Sequence, residues 1–289
     1  IASNDVYIFP AKEIPLNNGK FGAGGFPSNG GWDAGNPSSM TPIEYYLKDR
    51  VNSGDVKIEI YDAAGKLIQS MPGGKRKGLN MVYWNYRSTP PKTATGGTKL
   101  DGGGFAAPMV MPGTYTMKLK IGDKEYASQL KMVHDAENKN FSEADRKEQY
   151  DAAMKLYKMH EALAALASKV SDEEASIKQG DSIVKTAKNK KLLQEYNTKL
   201  ETLRSTLLAT KQKSIFADEE KLREKISDVY SSICYQEARP TNLQLQRIEQ
   251  LQTEITKAET DYKILYDASS AKIKANVVFP SPGGPESRM

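Results

Sequence analysis

Two histidines and one cysteine are all that this chain offers for metal binding or for imidazole and thiol chemistry. His134 and His160 lie outside any His-Glu-x-x-His spacing, and Cys234 has no Cys-x-x-Cys partner. His160 falls on an apolar stripe at helical spacing, where an imidazole reads as a core-edge side chain with satisfied hydrogen bonds. Cys234, beside Ile233, reads as a small buried apolar residue. Ser269-x-x-Lys272 has the letters of a penicillin-binding nucleophile without its companion motifs. No Gly-x-Ser-x-Gly elbow occurs, and Gly73-Gly-Lys75 lacks the earlier glycine of a phosphate loop. The acidic pairs Glu173-Glu174 and Glu219-Glu220 are neighbours on helical stretches, so they point about 100° apart and cannot flank one glycosidic bond. The expectation is no catalytic, cofactor-binding or metal-ligating residue, and hence a chain that is not an enzyme.

Binding chemistry leaves more to work with. Trp32 sits in a stretch rich in Gly, Asn, Pro and Ser, where an exposed ring could stack on a sugar or a protein, or could instead pin that stretch to its neighbour. In Leu79–Tyr86 (LNMVYWNY), strand alternation sends Trp84 and Tyr86 to one face and Tyr83 to the other. Trp84 is expected in a core. Trp32, Tyr83 and Tyr86 are the candidate contacts for a ligand or partner. The densest basic spot, Lys75-Arg76-Lys77, lies in a Gly-rich turn, and three charges alone hold phosphate weakly. The net charge of +5 carries no clustered basic face, so nucleic acid is not an expected partner. No run of apolar residues reaches the length of a membrane span.

The elements that must position these residues divide the 289-residue chain, whose length suggests about two domains. Residues 1–135 hold 19 of the 22 glycines and 10 of the 14 prolines. Turns and strands are therefore expected there and long helices after it, with a boundary near Asp135–Asn140. Residues 1–41 have no steady period beyond a short strand at Asp5–Phe9, and read as a linker. Val56, Ile58 and Ile60 alternate with Lys57 and Glu59, and Tyr115, Met117, Leu119 and Ile121 alternate with polar residues. Asp62-Ala-Ala-Gly65 turns the first of these runs, and Gly122-Asp123 turns the second into Lys124–Val133. Six or seven short strands over residues 42–135 predict an antiparallel Ig-like β-sandwich.

Residues 141–276 change period. Apolar stripes at helical spacing run through Ala153, Leu156, His160, Leu163, Ala167 and Val170, and through Leu193, Tyr196, Leu200, Leu203 and Leu207. Leu222, Ile226, Val229 and Ile233 form a third stripe, and Ile248, Leu251, Ile255, Ala258, Tyr262 and Leu265 a fourth. Ser142-Glu-Ala-Asp145 and Thr241-Asn-Leu-Gln244 supply capping signals, and Asp218, Glu219 and Glu220 suit the first turn of the third helix. Ser171–Ile183 is ambiguous because of Gly180. Narrow stripes need partners, so an up-down antiparallel four-helix bundle is expected, with residues 277–289 as a flexible tail. The eight residues between Val133 and Ser142 hold neither Gly nor Pro, which predicts a stiff joint.

Several of these segments carry a family resemblance. Val56–Lys66 (VKIEIYDAAGK), Asn80–Trp84 (NMVYW) and Met111–Tyr115 (MPGTY) resemble the small Ig-like domain of flagellar-hook-capping proteins. The same module closes bacterial BNR-repeat, sortilin-like β-propeller "glycosyl hydrolase" proteins, frequent in Bacteroidetes. Asp5–Pro10 looks like the segment leaving the propeller, Asn36-Pro37 with Ile43–Leu47 like the entry into the Ig-like domain, and Ala238-Arg-Pro-Thr241 like part of the family's helical bundle. The family's Asp-Pro-Arg after the last strand is replaced by His134-Asp-Ala-Glu137.

The resemblance implies a structural or interaction module, extracytoplasmic, that caps, orients or docks an upstream β-propeller of the same polypeptide. An envelope protein or a homo-oligomer are further partners it would allow. Any hydrolase residues would lie in the propeller repeats, which this sequence does not contain, and a chain beginning at Ile1 suggests a piece of something larger. The alternative is a carbohydrate-binding accessory module of a glycoside hydrolase, with a glycan as ligand of Trp32, Tyr83 and Tyr86.

Overall fold

A computed structural model describes residues 4–16, 40–96, 106–183, 186–209 and 219–276. Trp32 and residues 277–289 lie outside the described residues. The fold is mixed, with two sheets and four helices among the described residues. The chain divides into two compact units. The first gathers the described residues of Ile1–Pro90, Ala106–Met154 and Ser231–Thr241, and the second those of Pro91–Phe105, Lys155–Tyr230 and Asn242–Met289.

In the first unit, β1 (Val6–Ile8), β3 (Thr41–Leu47) and β6 (Gly78–Trp84) form a three-stranded antiparallel sheet in the order β1-β3-β6. A five-stranded sheet, curled into a half-barrel, runs β2 (Ile14–Leu16), β8 (Lys124–His134), β7 (Gly113–Ile121), β4 (Val56–Tyr61), β5 (Leu67–Pro72). The inner faces of both sheets share one apolar core, which includes Ile43, Tyr45, Leu47, Ile58, Ile60, Trp84, Met117, Leu119 and Leu130. Trp84 is 1 % exposed, and its indole N–H donates to the Arg87 carbonyl at 3.0 Å, so the ring is buried without an orphaned donor.

Local chemistry explains the turns. Asp62 Oδ1 accepts from the backbone N–H groups of Ala64 and Lys66, and Gly65 takes a φ of 78° that few other residues tolerate. Gly73 marks a close approach, since a Cβ there would lie 2.6 Å from Val56 Cγ1 and 2.9 Å from the Tyr45 hydroxyl. The glycine pair before Lys75 is thus a packing device.

Two expectations are corrected here. Residues 1–41 are not all linker, because β1 pairs with β3, and β2 buries Ile14 and Leu16 in the core. Nor is every pairing antiparallel, because β2 joins β8 in parallel register, Ile14 opposite Met132 and Leu16 opposite His134.

The first unit also continues past the last strand. Ser142 caps α1 (Glu143–Ile183), its hydroxyl accepting from the Asp145 N–H at 3.1 Å while Asp145 Oδ2 accepts from the Ser142 N–H at 3.0 Å. The hydrogen bonds from Ser142 hold the Asp145 carboxyl below its usual range. One turn into α1, Arg146 is 2 % exposed. Its guanidinium donates to the Leu16 carbonyl and to Glu237, both at 3.1 Å, and lies 5.0 Å from the Phe141 ring centre. Gln149 donates to the carbonyls of Ile233 and Gln236. Through the two terminal amino groups of this buried guanidinium, β2, the first turns of α1 and residues 231–241 are held together within the first unit.

In the second unit, α2 (Ala187–Leu207) buries the stripe Leu193, Tyr196, Leu200, Leu203 and Leu207 read from its spacing. Tyr196 and Arg204 reach Glu173 and Glu174 of α1, Lys155 of α1 reaches Glu249 of α4 (Asn242–Asn276), and Lys225 of α3 (Leu222–Tyr235) reaches Glu254 of α4. The ambiguous stretch 171–183 is helical, with Glu174 and Ile177 buried, so tertiary contacts outweigh the cost of Gly180. α3 starts at Leu222, leaving Glu219 and Glu220 outside it, and Asp218 is not among the described residues. Its buried stripe also turns by one residue, with Tyr230 at 0 % exposure while Val229 is half-buried. No helix among the described residues is long and apolar enough to cross a membrane.

Candidate functional site on the outer face of the three-stranded sheet

The sequence reading of β6 as a strand with Trp84 inward and Tyr83 outward agrees with the structure, and the outward side is where the unit is most exposed and apolar. Direct cross-strand partners share a face. On the outer side of the three-stranded sheet, Tyr7 stands opposite Tyr46, Tyr46 opposite Leu79, Glu44 opposite Met81, and Pro42 opposite Tyr83. Leu79 is 59 % exposed, Met81 41 % and Tyr83 51 %. Tyr7 packs edge-on against Phe9 at 5.2 Å between ring centres. Glu44 is the only charged residue in these rows.

The outer side of the five-stranded sheet is built otherwise. There Lys57 faces Lys120, Glu59 faces Lys118, and Lys120 faces Glu125. Lys120 bridges Glu59 at 2.9 Å and Glu125 at 3.1 Å, and Lys118 bridges Glu125 at 3.0 Å. The Tyr61 hydroxyl donates to Glu59, and Lys118 lies 5.3 Å above the Tyr61 ring. That hydrogen bond and Lys120 hold the Glu59 carboxyl below its ordinary value, and hydrogen bonds from Lys118 and Lys120 do the same for Glu125. The bond to Glu59 in turn raises the Tyr61 phenol.

Two of the three candidate contact residues, Tyr83 and Tyr86, are among the described residues, and of these two Tyr83 presents its ring to solvent. Tyr86 is 4 % exposed, because the alternation that buries Trp84 carries it inward too. It adopts a φ of 59°, and its hydroxyl lies 3.0 Å from Thr41 Oγ1. This corrects its assignment as a surface contact. Tyr86 is one of the residues lining a groove of about 520 Å³, with Phe9, Pro10, Ile14, Thr41 and Pro42 among the others.

His160 is fully buried with its ring edge-on to Tyr230 at 5.3 Å, and Cys234 is buried at the end of α3. Among the described residues, no group of three or more His, Cys, Asp or Glu side chains could hold a metal ion. Sequence reasoning missed Leu79 and Met81 as surface residues, although the signal was present. LNMVYW is apolar at both odd and even positions, whereas a strand with one solvated face alternates. No protein-family model, curated protein or solved structure matches the chain.

Proposed function

We propose that this chain is a non-catalytic structural and interaction module: an Ig-like β-sandwich followed by an up-down four-helix bundle, serving to cap, orient or dock an upstream β-propeller of an extracytoplasmic protein. The motif resemblance in Val56–Lys66, Asn80–Trp84 and Met111–Tyr115 suggests this parentage. The observation that carries the interaction role is the apolar outer face of the three-stranded sheet, set beside a five-stranded sheet whose outer face is laced with ion pairs. Contiguous exposed apolar side chains on a strand mark a surface that meets something. Sequencing the polypeptide upstream of residue 1 tests the parentage. β-Propeller repeats are expected there, and an upstream sequence without them overturns it.

A second reading, a carbohydrate-binding accessory module, rests on the exposed Tyr83 ring beside Pro42. A glycan-array signal that disappears in Tyr83→Ala would favour it, and the absence of any bound glycan would remove it.

A further inference from the structure

Among the described residues, the outer edge of β6 is open in a way that no other long strand edge in the first unit is. In an antiparallel ladder each residue aims its N–H and C=O to the same side, and successive residues alternate. Pro42 has no N–H, so its partner Tyr83 cannot exchange a bond pair with β3. The Glu44 carbonyl accepts from the Phe9 N–H at 3.0 Å, which commits Glu44 to the β1 side and turns its partner Met81 away. Leu79, two residues on, follows. The backbone groups of Leu79, Met81 and Tyr83 therefore point out of the sheet, and no strand borders that edge among the described residues. Beyond Trp84 the edge closes again: the Val110 N–H donates to the Tyr86 carbonyl at 2.8 Å and the Ser88 N–H to the Pro108 carbonyl at 3.1 Å. The free stretch is Gly78–Trp84, and its midpoint is Met81.

Edge strands are usually blunted by prolines, charges or a covering segment. β5, at the edge of the other sheet, shows two of these devices. It ends in Pro72, and Thr89 donates its N–H to the Ile68 carbonyl at 2.8 Å. Among the described residues β6 shows none, carrying no proline and no charge from Gly78 through Tyr86.

We propose that β6 pairs antiparallel with β6 of a second copy of this chain, about a two-fold axis at Met81, joining two three-stranded sheets into one. The occupant follows from self-complementarity. A two-fold at Met81 sets Leu79 against Tyr83 of the second copy, Met81 against Met81, and Tyr83 against Leu79. The open backbone groups at these three positions then all find partners. The side-chain pairs are aliphatic–aromatic and Met–Met, the kinds that stabilise antiparallel sheets. Charge selects the direction. Lys75, Arg76 and Lys77 lie at one end of β6 only. Antiparallel pairing sends the two basic clusters to opposite ends, whereas parallel pairing would put them side by side. The pairing uses the edge, not the outer face as a docking surface, so it stands or falls independently of the function proposed above.

An edge of seven residues makes a small interface, so the dimer is weak, with a dissociation constant of roughly 10–100 µM. Sedimentation velocity on the full chain from about 5 µM to about 1 mM tests it. The wild type is expected to shift from 32.0 kDa toward twice that mass as concentration rises. Met81→Lys folds readily, because the new ammonium has Glu44 opposite it within the same chain, but in the dimer it meets its own copy across the axis. That variant is expected to keep the wild-type circular dichroism spectrum and to dimerise at least about tenfold more weakly. Met81→Cys supplies a second readout, because directly opposed antiparallel residues lie about 5.5 Å apart at Cα, within disulfide reach. It is expected to form a covalent dimer on mild oxidation much faster than Ser70→Cys, placed on the blunted edge. A wild type that stays monomeric at about 1 mM overturns the proposal, and so does a dimer indifferent to Met81→Lys, which would place the contact elsewhere.

Discussion

The two sheets of the first unit share a core and differ on their outer sides. Behind the five-stranded sheet, Glu59, Lys118, Lys120 and Glu125 cover the backbone with a network of ion pairs, and Lys57 stands beside them. Behind the three-stranded sheet, Leu79, Met81, Tyr83 and Pro42 meet solvent with Glu44 as their single charge. Solvated sheet faces in antiparallel folds are normally polar, so the first surface needs no further explanation and the second does. Among the described residues the edges repeat the contrast, closed at β5 and open at β6. A strand can be read as half-core, half-surface only when its two residue sets differ in polarity. When both are apolar, the pattern alone does not tell the buried set from the exposed one.

The comparison presumes a common interior, and Trp84 offers the most severe test of it. Its indole fills the space between the sheets, edge-on to Tyr86 and Tyr115 at 6.1 and 6.2 Å. Trp84→Ala is expected to cost about 3–5 kcal/mol in urea unfolding. The far-UV and tyrosine-fluorescence transitions of the first unit are expected to move together, because both sheets lose the same support. A transition confined to the three-stranded sheet would show that the cores are separate.

Tyr115 sharpens the interior from the five-stranded side. Burial, with Tyr150 and Asp62 nearby, pushes its phenol up from 10.0 to about 12, and its hydroxyl donates to the Met111 carbonyl at 2.8 Å. The folded state holds this proton where the unfolded chain releases it. Stability from this group is therefore complete below pH 10 and lost as the pH rises from 10 toward 12. Tyr115→Phe is expected to flatten the fall in unfolding free energy over that window. An unchanged slope would mean that the phenol ionises freely.

Glu59 tests the charged outer face. Its side chain is 13 % exposed and bonded to Tyr61 and Lys120. The folded carboxyl is depressed below 4.5, so its contribution is present above that pH and is lost as the pH falls through the lower folded value. Glu59→Gln is expected to cost about 1 kcal/mol at neutral pH and to reduce the acid sensitivity below pH 4.5. Acid unfolding that is identical in both proteins would remove the network from the stability of this face.

Much of this was legible in the sequence, and its limits have physical causes. The helical stripes were legible because period sets burial: every residue of the Leu193–Leu207 stripe is buried in α2. Alternation likewise separated Trp84 from Tyr83. The strand at Ile14–Leu16 was hidden because three residues around Pro15 carry no period, and its parallel partner β8 lies more than a hundred residues away in the chain. Arg146 was hidden because a charge in a first helical turn reads as solvated, and only the fold brings the Leu16 carbonyl and Glu237 to it. The candidate surface was half legible. Tyr83 is legible by its ring, whereas Leu79 and Met81 are aliphatic side chains, which occur in cores and singly on surfaces alike.

The smallest expected effect falls on that surface and separates the two outer faces most cleanly. Leu79→Thr with Tyr83→Thr keeps residues that favour strands while removing two exposed apolar side chains. Neither side chain is buried in the isolated chain, so little transfer free energy is lost and the unfolding free energy should change by no more than about 0.5 kcal/mol. Hydrophobic-interaction chromatography should register the change instead, as earlier elution and a higher ammonium sulfate concentration needed for precipitation. Threonines at Lys118 and Lys120 act in the opposite sense. They break three ion pairs, lower stability and leave hydrophobic retention the same or greater. If the Leu79 and Tyr83 replacements destabilised the chain by more than about 2 kcal/mol, those side chains would be covered by the chain itself. The apolar face would then be core, and the contrast between the two sheets would vanish.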